Sequence, residues 1–150
     1  MPTFASVPMQ FALVEPGVAR PLLAKSLKAD KTGLVQLELP KDAPQLSPER
    51  KYRWTVSLIC NSQRPSENVY ATAWVKRVTT TANQAKALVE AGSDNQRALV
   101  YAQSGLWYDA LTAMSKAYQA NPQDSSTRES FVSLLDQVGL TQVAMQFSGK

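Results

Sequence analysis

Residues 92–124 decide the fold of the C-terminal half, and they read GSDNQRALVYAQSGLWYDALTAMSKAYQANPQD. Trp107 and Met114 lie on one apolar stripe of a helix, because a spacing of seven residues returns to the same helical face. Gly105 stands before this stripe, where a left-handed residue would end the preceding helix. Proline cannot continue a helix, so Pro122 marks the end of the second one. The stretch therefore predicts a helical hairpin.

The hairpin resembles the tetratricopeptide unit, a repeat of about 34 residues with small residues at the helix contact and a late proline. The matching positions are Ala98, Tyr101, Gly105, Trp107, Ala110, Ala117 and Pro122, with Met114 in place of the usual aromatic residue. A further apolar stripe predicts a capping helix and consists of Phe131, Leu134, Leu135 and Val138. The alternative is a helical support for the domain that precedes it. Longer arrays hold peptides in a concave groove, and a single repeat with a capping helix is expected to be too short for one.

Helix boundaries in this half follow from capping signals. Ser/Thr-x-x-Gln boxes predict helix starts at 81–84 and 93–96, and a similar box predicts another at 126–129. Gly92 and Gly105 are expected as left-handed residues at helix ends, and Gly139 as the stop of the last helix. Residues 81–150 are thus predicted to be a helical domain resembling a tetratricopeptide hairpin with a capping helix.

The N-terminal half alternates apolar and polar residues, as β-strands with one buried face do. The pattern predicts five strands, at about 8–15, 20–28, 33–39, 51–60 and 67–78. In the clearest one, Tyr52 and Trp54 share a face with Cys60, which closes the alternation and is expected to be a small buried core residue. The last two strands are expected to pair as a hairpin.

Leu46-Ser-Pro48 precedes Tyr52 at a spacing that resembles the tyrosine corner of immunoglobulin-like and fibronectin-like sandwiches, where the hydroxyl bonds to the preceding loop. The expected fold class is therefore α+β, with an antiparallel sandwich-like domain at residues 1–80 and the helical domain at 81–150. Five strands are fewer than a sandwich needs. Either the helical half covers an open sheet, or Met1 lies inside a longer natural chain whose N-terminal strands are missing here.

Composition excludes several classes of protein. The 150 residues contain no His and one Cys, so the commonest general base and the commonest metal ligand are absent. Acid pairs such as Glu49 with Glu67 and a serine–lysine pair such as Ser57 with Lys51 have no spacing that enforces a catalytic geometry. No catalytic residue, cofactor or metal is predicted. The net charge is +4, but the basic residues are interleaved with apolar ones, so no nucleic-acid partner is expected. No membrane span is expected either.

A wider resemblance covers nearly the whole chain and points to the cyanobacterial family of domain of unknown function 928. It rests on the segments 33–40, 43–44, 52–54, 57–61, 74–78, 101–102, 105–109, 121–122, 134–135 and 138–140. The resemblance implies an exported protein, periplasmic or extracellular, although this chain begins without a signal peptide. It also implies that Cys60 could pair with a cysteine upstream. No activity or ligand follows from it.

Three functions are weighed. The leading one is a non-enzymatic adaptor or protein-interaction module of the cyanobacterial envelope, and the alternative is an extracellular glycan-binding module that uses the β-domain. Enzymatic activity is the weakest. Trp54 is expected in the core, and the candidate interaction surface consists of Tyr70, Trp74, Lys76, Arg77 and Tyr108.

Overall fold

The computed structural model describes residues 7–28 and 34–148. It divides the chain into two compact units, residues 1–79 and 80–150. The first contains β-strands and the second α-helices, so the predicted α+β class is confirmed. Each unit is described by itself below.

The first unit contains one four-stranded antiparallel sheet with the strand order β2-β1-β3-β4. Its strands are β1 (Pro8–Val14), β2 (Leu23–Lys28), β3 (Lys51–Leu58) and β4 (Val69–Lys76), with a short 3-10 helix at Pro65–Glu67. β3 and β4 pair as the predicted hairpin, with Thr55 opposite Thr72. The described residues form a single open sheet, so the second layer of a sandwich stays a prediction.

The two faces of the sheet differ in chemistry because side chains alternate along each strand. Leu13, Tyr52 and Trp54 lie on the apolar face, where Leu13 and Tyr52 are buried and Trp54 is half-buried. The opposite face presents Thr55 and Thr72, whose hydroxyls lie 3.2 Å apart. The apolar face thus holds the core of this unit, and the other face is polar.

The predicted tyrosine corner is formed. The backbone N–H of Ser47 donates a hydrogen bond of 2.9 Å to the Tyr52 hydroxyl oxygen, and Tyr52 is only 2% exposed. The same loop is held at Glu49, whose φ of 64° is left-handed and whose N–H donates to the Arg77 carbonyl. The loop before β3 is therefore fixed to the ends of β3 and β4.

Two expectations in this unit are wrong. Residues 34–39 of the predicted strand 33–39 form no strand, and residue 33 lies outside the described residues. An alternating pattern gives a strand only where a neighbouring strand can pair with it, and here Val35 and Leu39 are exposed instead. Cys60 is also exposed rather than buried. β3 ends at Leu58, so the alternation no longer governs where the Cys60 side chain lies.

The second unit contains five helices in its described residues, connected by short turns. They are α1 (Ala82–Glu90), α2 (Asp94–Gln103), α3 (Trp107–Ala120), α4 (Ser125–Gln137) and α5 (Thr141–Phe147). The core joins side chains from α2, α3, α4 and α5, and its buried members are Ala98, Ala110, Ala113, Met114, Phe131, Leu134, Leu135 and Ala144. The predicted stripe of α3 is confirmed. α5 was not predicted from the sequence. Val138, a member of the predicted capping stripe, is 40% exposed and so lies outside the core.

The capping signals are confirmed in part. Thr81 and Gln84 form the full capping box, and Gly105 and Gly139 adopt the left-handed conformation. Gly92 does not, because α1 ends at Glu90 and its C-cap residue Ala91 is already extended. At the start of α2, a full capping box would have the Gln96 side chain accept a hydrogen bond from the Ser93 N–H. It accepts one from the Gly92 N–H instead. The fourth helix begins earlier than predicted, because Asp124 and not Ser126 caps it.

Candidate functional site

The polar face of β4 carries the strongest candidate surface. Tyr70, Thr72, Trp74 and Lys76 occupy alternate positions, so their side chains share this face. Tyr70 is 57% exposed and Trp74 is 54% exposed, although large aromatic residues normally bury most of their area. The two backbone positions lie about 13 Å apart along the strand. We call Tyr70, Thr72 and Trp74 the aromatic surface.

Neighbouring groups hold both rings of the aromatic surface in place. The guanidinium of Arg53, on the adjacent strand, lies 6.0 Å from the centroid of the Trp74 ring. The Tyr70 hydroxyl donates a 3.2 Å hydrogen bond to the Pro65 carbonyl in the 3-10 helix. Between them the Thr72 hydroxyl donates to the Trp54 carbonyl at 2.8 Å. Because these side chains are restrained before binding, ordering them for a partner costs less conformational entropy.

Lys76 and Arg77 have structural contacts at the end of β4. The Lys76 ammonium lies 2.6 Å from a carboxylate oxygen of Glu49. This hydrogen bond with Lys76 lowers the pKa of the Glu49 carboxyl, against a smaller opposing effect of desolvation. Arg77 donates a 3.0 Å hydrogen bond to the Leu46 carbonyl. Both cations therefore help to hold the loop before β3, and Lys76 borders the aromatic surface on the same face of β4.

Tyr108 belongs to the other unit, in the first turn of α3. Its ring meets the Trp107 ring edge to face, with centroids 5.2 Å apart, and the residue is 39% exposed. Of the five predicted surface residues, the structure thus brings together Tyr70, Trp74 and Lys76 on one strand, with Arg77 directly after it. Tyr108 is a surface residue of the helical unit.

The residue pairs considered for catalysis are not brought together. Glu49 contacts Lys76 at the end of β4, whereas Glu67 lies two residues before the start of that strand and pairs with Arg64 at 3.2 Å. The strand between them spans about 23 Å. Ser57 and Lys51 lie near opposite ends of β3. In the described part of the chain, His, Cys, Asp and Glu side chains do not gather in any group of three that could hold a metal ion.

The helical unit has two grooves that the sequence did not predict. One encloses about 520 Å³ between α2 and α4, over Met114 of α3, and the other about 560 Å³ between α4 and α5. Small residues line the first groove, and their short side chains leave space between the two helices. They are Ala98 and Ala102 on α2 and Ser130 and Ser133 on α4. Their spacings of four and three residues are the signal that could have predicted it.

Comparisons with known proteins identify one family. The family model described as Domain of Unknown Function (DUF928) matches residues 1–147. No curated protein matches the chain. Within residues 7–28 and 34–148, none of the helices combines the length and the apolar character that crossing a membrane requires.

Proposed function

The chain belongs to the DUF928 family, and we propose that it is a non-enzymatic protein-interaction module of the cyanobacterial envelope. The observation that carries the proposal is the aromatic surface, where Tyr70 and Trp74 are each more than half exposed on a polar sheet face. Exposed large aromatic residues on rigid elements are typical anchors of protein interfaces, since they bury much area on binding.

The surroundings of the aromatic surface fit a protein partner. Arg53 lies against Trp74, and Lys76 stands at the next alternate position beyond it. Aromatic residues and arginine are enriched in interface hot spots, and a lysine at the border fits the polar rim. We infer that Tyr70 and Trp74 contact the partner and that Lys76, which is paired with Glu49, lies at the rim of the contact.

The groove between α2 and α4 supports an adaptor role, because it gives the chain a second surface. Leu99 is 55% exposed on this groove, beside the small residues Ala98 and Ala102. In this proposal α2 and α3 are a hairpin of the tetratricopeptide type, and the sheet belongs to a sandwich-like domain. Export to the periplasm or the cell exterior is likewise a proposal, supported by family resemblance.

Capture of partners on the purified full chain tests the proposal. We expect envelope extract to yield a protein that is retained by the wild type and lost with the double variant Tyr70→Ala, Trp74→Ala. The matched control is Val89→Ala, which also removes apolar side-chain area from a highly exposed position. Equal retention by the double variant, or no specific protein on the wild type, would contradict the proposal.

A glycan is the second candidate ligand, and the exposure of both aromatic rings on one sheet face favours it. Two exposed rings at alternate positions of one strand can stack on sugar rings, with the hydroxyls of Thr55 and Thr72 between them. Titration of extracellular polysaccharides should then change tryptophan fluorescence in the wild type and not in Trp74→Phe. Unchanged fluorescence in the wild type would remove this alternative and leave the protein partner.

A further inference from the structure

The strands of the sheet contain basic residues and no acidic ones. None of the residues in β1, β2, β3 and β4 is Asp or Glu. The cations of these strands are Lys25, Lys28, Lys51, Arg53 and Lys76. A surface that carries charges of one sign attracts ligands of the opposite sign and speeds their approach. The sheet is therefore suited to an anionic partner.

Three of these cations lie together at one end of the polar face. Lys51 is paired with Lys76 in the register of β3 and β4, and Arg53 is paired with Trp74. Directly opposed residues share a face and have Cβ atoms about 5 Å apart. Lys51 and Arg53 are alternate residues of β3, so they share this face too, about 7 Å apart along the strand. This end of the polar face thus combines three positive charges with the Trp74 end of the aromatic surface.

One of the three cations has an acidic partner within the chain. The Lys76 ammonium lies 2.6 Å from a carboxylate oxygen of Glu49. Arg53 lies against the Trp74 ring, and Lys51 is exposed at the first position of β3. In the described part of the chain, neither Lys51 nor Arg53 forms an ion pair. We call Lys51 and Arg53 the basic pair.

We propose that the basic pair binds two carboxylates of an extended acidic segment in the protein partner of the aromatic surface. The inference rests on the proposed function and names the chemistry of that partner. The guanidinium of Arg53 can hold a carboxylate through two parallel N–H···O hydrogen bonds, and the ammonium of Lys51 binds one as a compact charge. Both side chains are exposed, so a partner can reach them without any rearrangement of the sheet.

The spacing of the basic pair fits a polypeptide. In an extended chain alternate side chains point the same way and lie about 7 Å apart, which is also the separation of Lys51 and Arg53 along β3. A partner segment with Asp or Glu at two alternate positions can therefore contact both cations at once. An apolar side chain next to these acids can contact Trp74, because Trp74 is the cross-strand neighbour of Arg53. An acidic polysaccharide also offers carboxylates, and the experiment below separates the two.

Binding through exposed charges depends on salt. The Debye length is about 10 Å at an ionic strength of about 0.1 M, and it falls to about 3 Å at about 1 M. The contacts of the basic pair should therefore weaken as salt is added. We expect sodium chloride to release an acidic peptide from the chain.

Binding of a synthetic peptide of alternating glutamate and threonine to the purified full chain tests the inference. Fluorescence anisotropy of the labelled peptide measures its affinity. We expect the wild type to bind this peptide and not to bind a peptide of alternating lysine and threonine. The double variant Lys51→Gln, Arg53→Gln should bind the acidic peptide about tenfold more weakly, as the loss of two exposed ion pairs implies. Both substituted positions are exposed, and an unchanged circular dichroism spectrum verifies the fold.

The matched control is the double variant Lys86→Gln, Lys116→Gln. It removes two charges from exposed positions of the helical unit, so the net charge of the chain changes equally. This control should bind the acidic peptide like the wild type. A wild type that does not bind the peptide, or an equal loss in both double variants, would overturn the inference. Polygalacturonate is a further probe, and tighter binding of it than of the acidic peptide would overturn the assignment to a polypeptide.

Capture from envelope extract separates the inference from the proposed function. A partner that the wild type retains should be lost with Lys51→Gln, Arg53→Gln and released by salt. If that partner is lost with Tyr70→Ala, Trp74→Ala but kept by the charge variant, the inference is wrong and the proposed function stands. If the extract yields no partner, the proposed function is contradicted, while the peptide measurement still decides whether the basic pair binds carboxylates.

Discussion

Tyr52 illustrates how one side chain fixes a loop that has no regular structure of its own. Its ring is buried in the sheet unit, while its hydroxyl accepts the Ser47 N–H five residues earlier. The spacing from Leu46-Ser-Pro48 to Tyr52 was enough to predict this bond, because the contact is local in sequence. Nearby, the exposure of Cys60 could not be predicted, since it depends on where β3 ends.

Replacing Tyr52 with phenylalanine should destabilise the sheet unit by about 1 kcal/mol, because the Ser47 N–H loses its acceptor while the ring stays in place. Urea unfolding followed by tryptophan fluorescence measures the change. Tyr70→Phe is the control, since that hydroxyl bonds to Pro65 at an exposed position and its loss should stay within about 0.5 kcal/mol. Equal stability of the two variants would contradict the role of Tyr52.

Asp124 makes the stability of the helical unit depend on pH. The hydroxyl of Thr127 and the N–H groups at the start of α4 hydrogen-bond its carboxylate and lower its pKa in the fold. Because the pKa of Asp124 is lower in the folded state, its carboxylate stabilises the fold at pH values above the unfolded-state pKa of about 3.9. This stabilisation is lost as the pH falls through the folded-state pKa. The advantage of the wild type over Asp124→Asn should therefore be present at neutral pH and vanish in acid.

Denaturant unfolding followed by circular dichroism, at neutral and at acid pH, measures this difference. Asp124→Ala is a useful second variant, because it removes the acceptor as well as the charge and should be the least stable of the three at neutral pH. An advantage of the wild type over Asp124→Asn that is unchanged in acid would contradict the assignment.

At the scale of helices and strands, the sequence predicted the helical hairpin better than the sheet. Capping residues, left-handed glycines and small contact residues act within a few residues, so α1 to α4 could be located from local signals. Strands depend on partners that are distant in sequence, and residues 34–39 show the consequence, because a strand-like alternation there has no paired neighbour. The α2–α4 groove is predictable only in part for a similar reason, since its small residues can be seen in the sequence but the groove also needs the relative placement of two helices.

The core of the helical unit depends on α4 and α5 packing together. Phe131 of α4 is fully buried and stacks on Tyr118 at 5.4 Å, and its ring meets Phe147 of α5 at 5.0 Å between centroids. Truncating Phe131 to alanine should cost about 3–5 kcal/mol, because it removes these contacts and leaves a cavity.

Thermal and urea unfolding by circular dichroism check this value. Val89→Ala is the control, since Val89 is 86% exposed on α1 and its truncation should change the free energy of unfolding by less than about 0.5 kcal/mol. A loss below about 1 kcal/mol for Phe131→Ala would show that the aromatic cluster does not hold α5.

At the scale of the whole molecule, the two units differ in how much core each contains. Among the described residues, the buried apolar side chains of the sheet unit are Leu13 and Tyr52, and the other eight belong to the helical unit. Residues 80–150 expressed alone should therefore fold into a helical unit with a cooperative thermal transition, and residues 1–79 alone should not give one. Circular dichroism of the two fragments measures this, and a cooperative transition of the sheet fragment alone would contradict it.

The central claim is that the polar face of β4 binds a protein, and it can be tested at the position between the two rings. A photo-reactive amino acid at Thr72 should form a covalent adduct with a different protein in envelope extract, while the same residue at Val89 should not. The adduct should disappear when Tyr70 and Trp74 are both replaced by alanine. Adducts that are equal at both positions, or that persist without the two aromatic rings, would contradict the account.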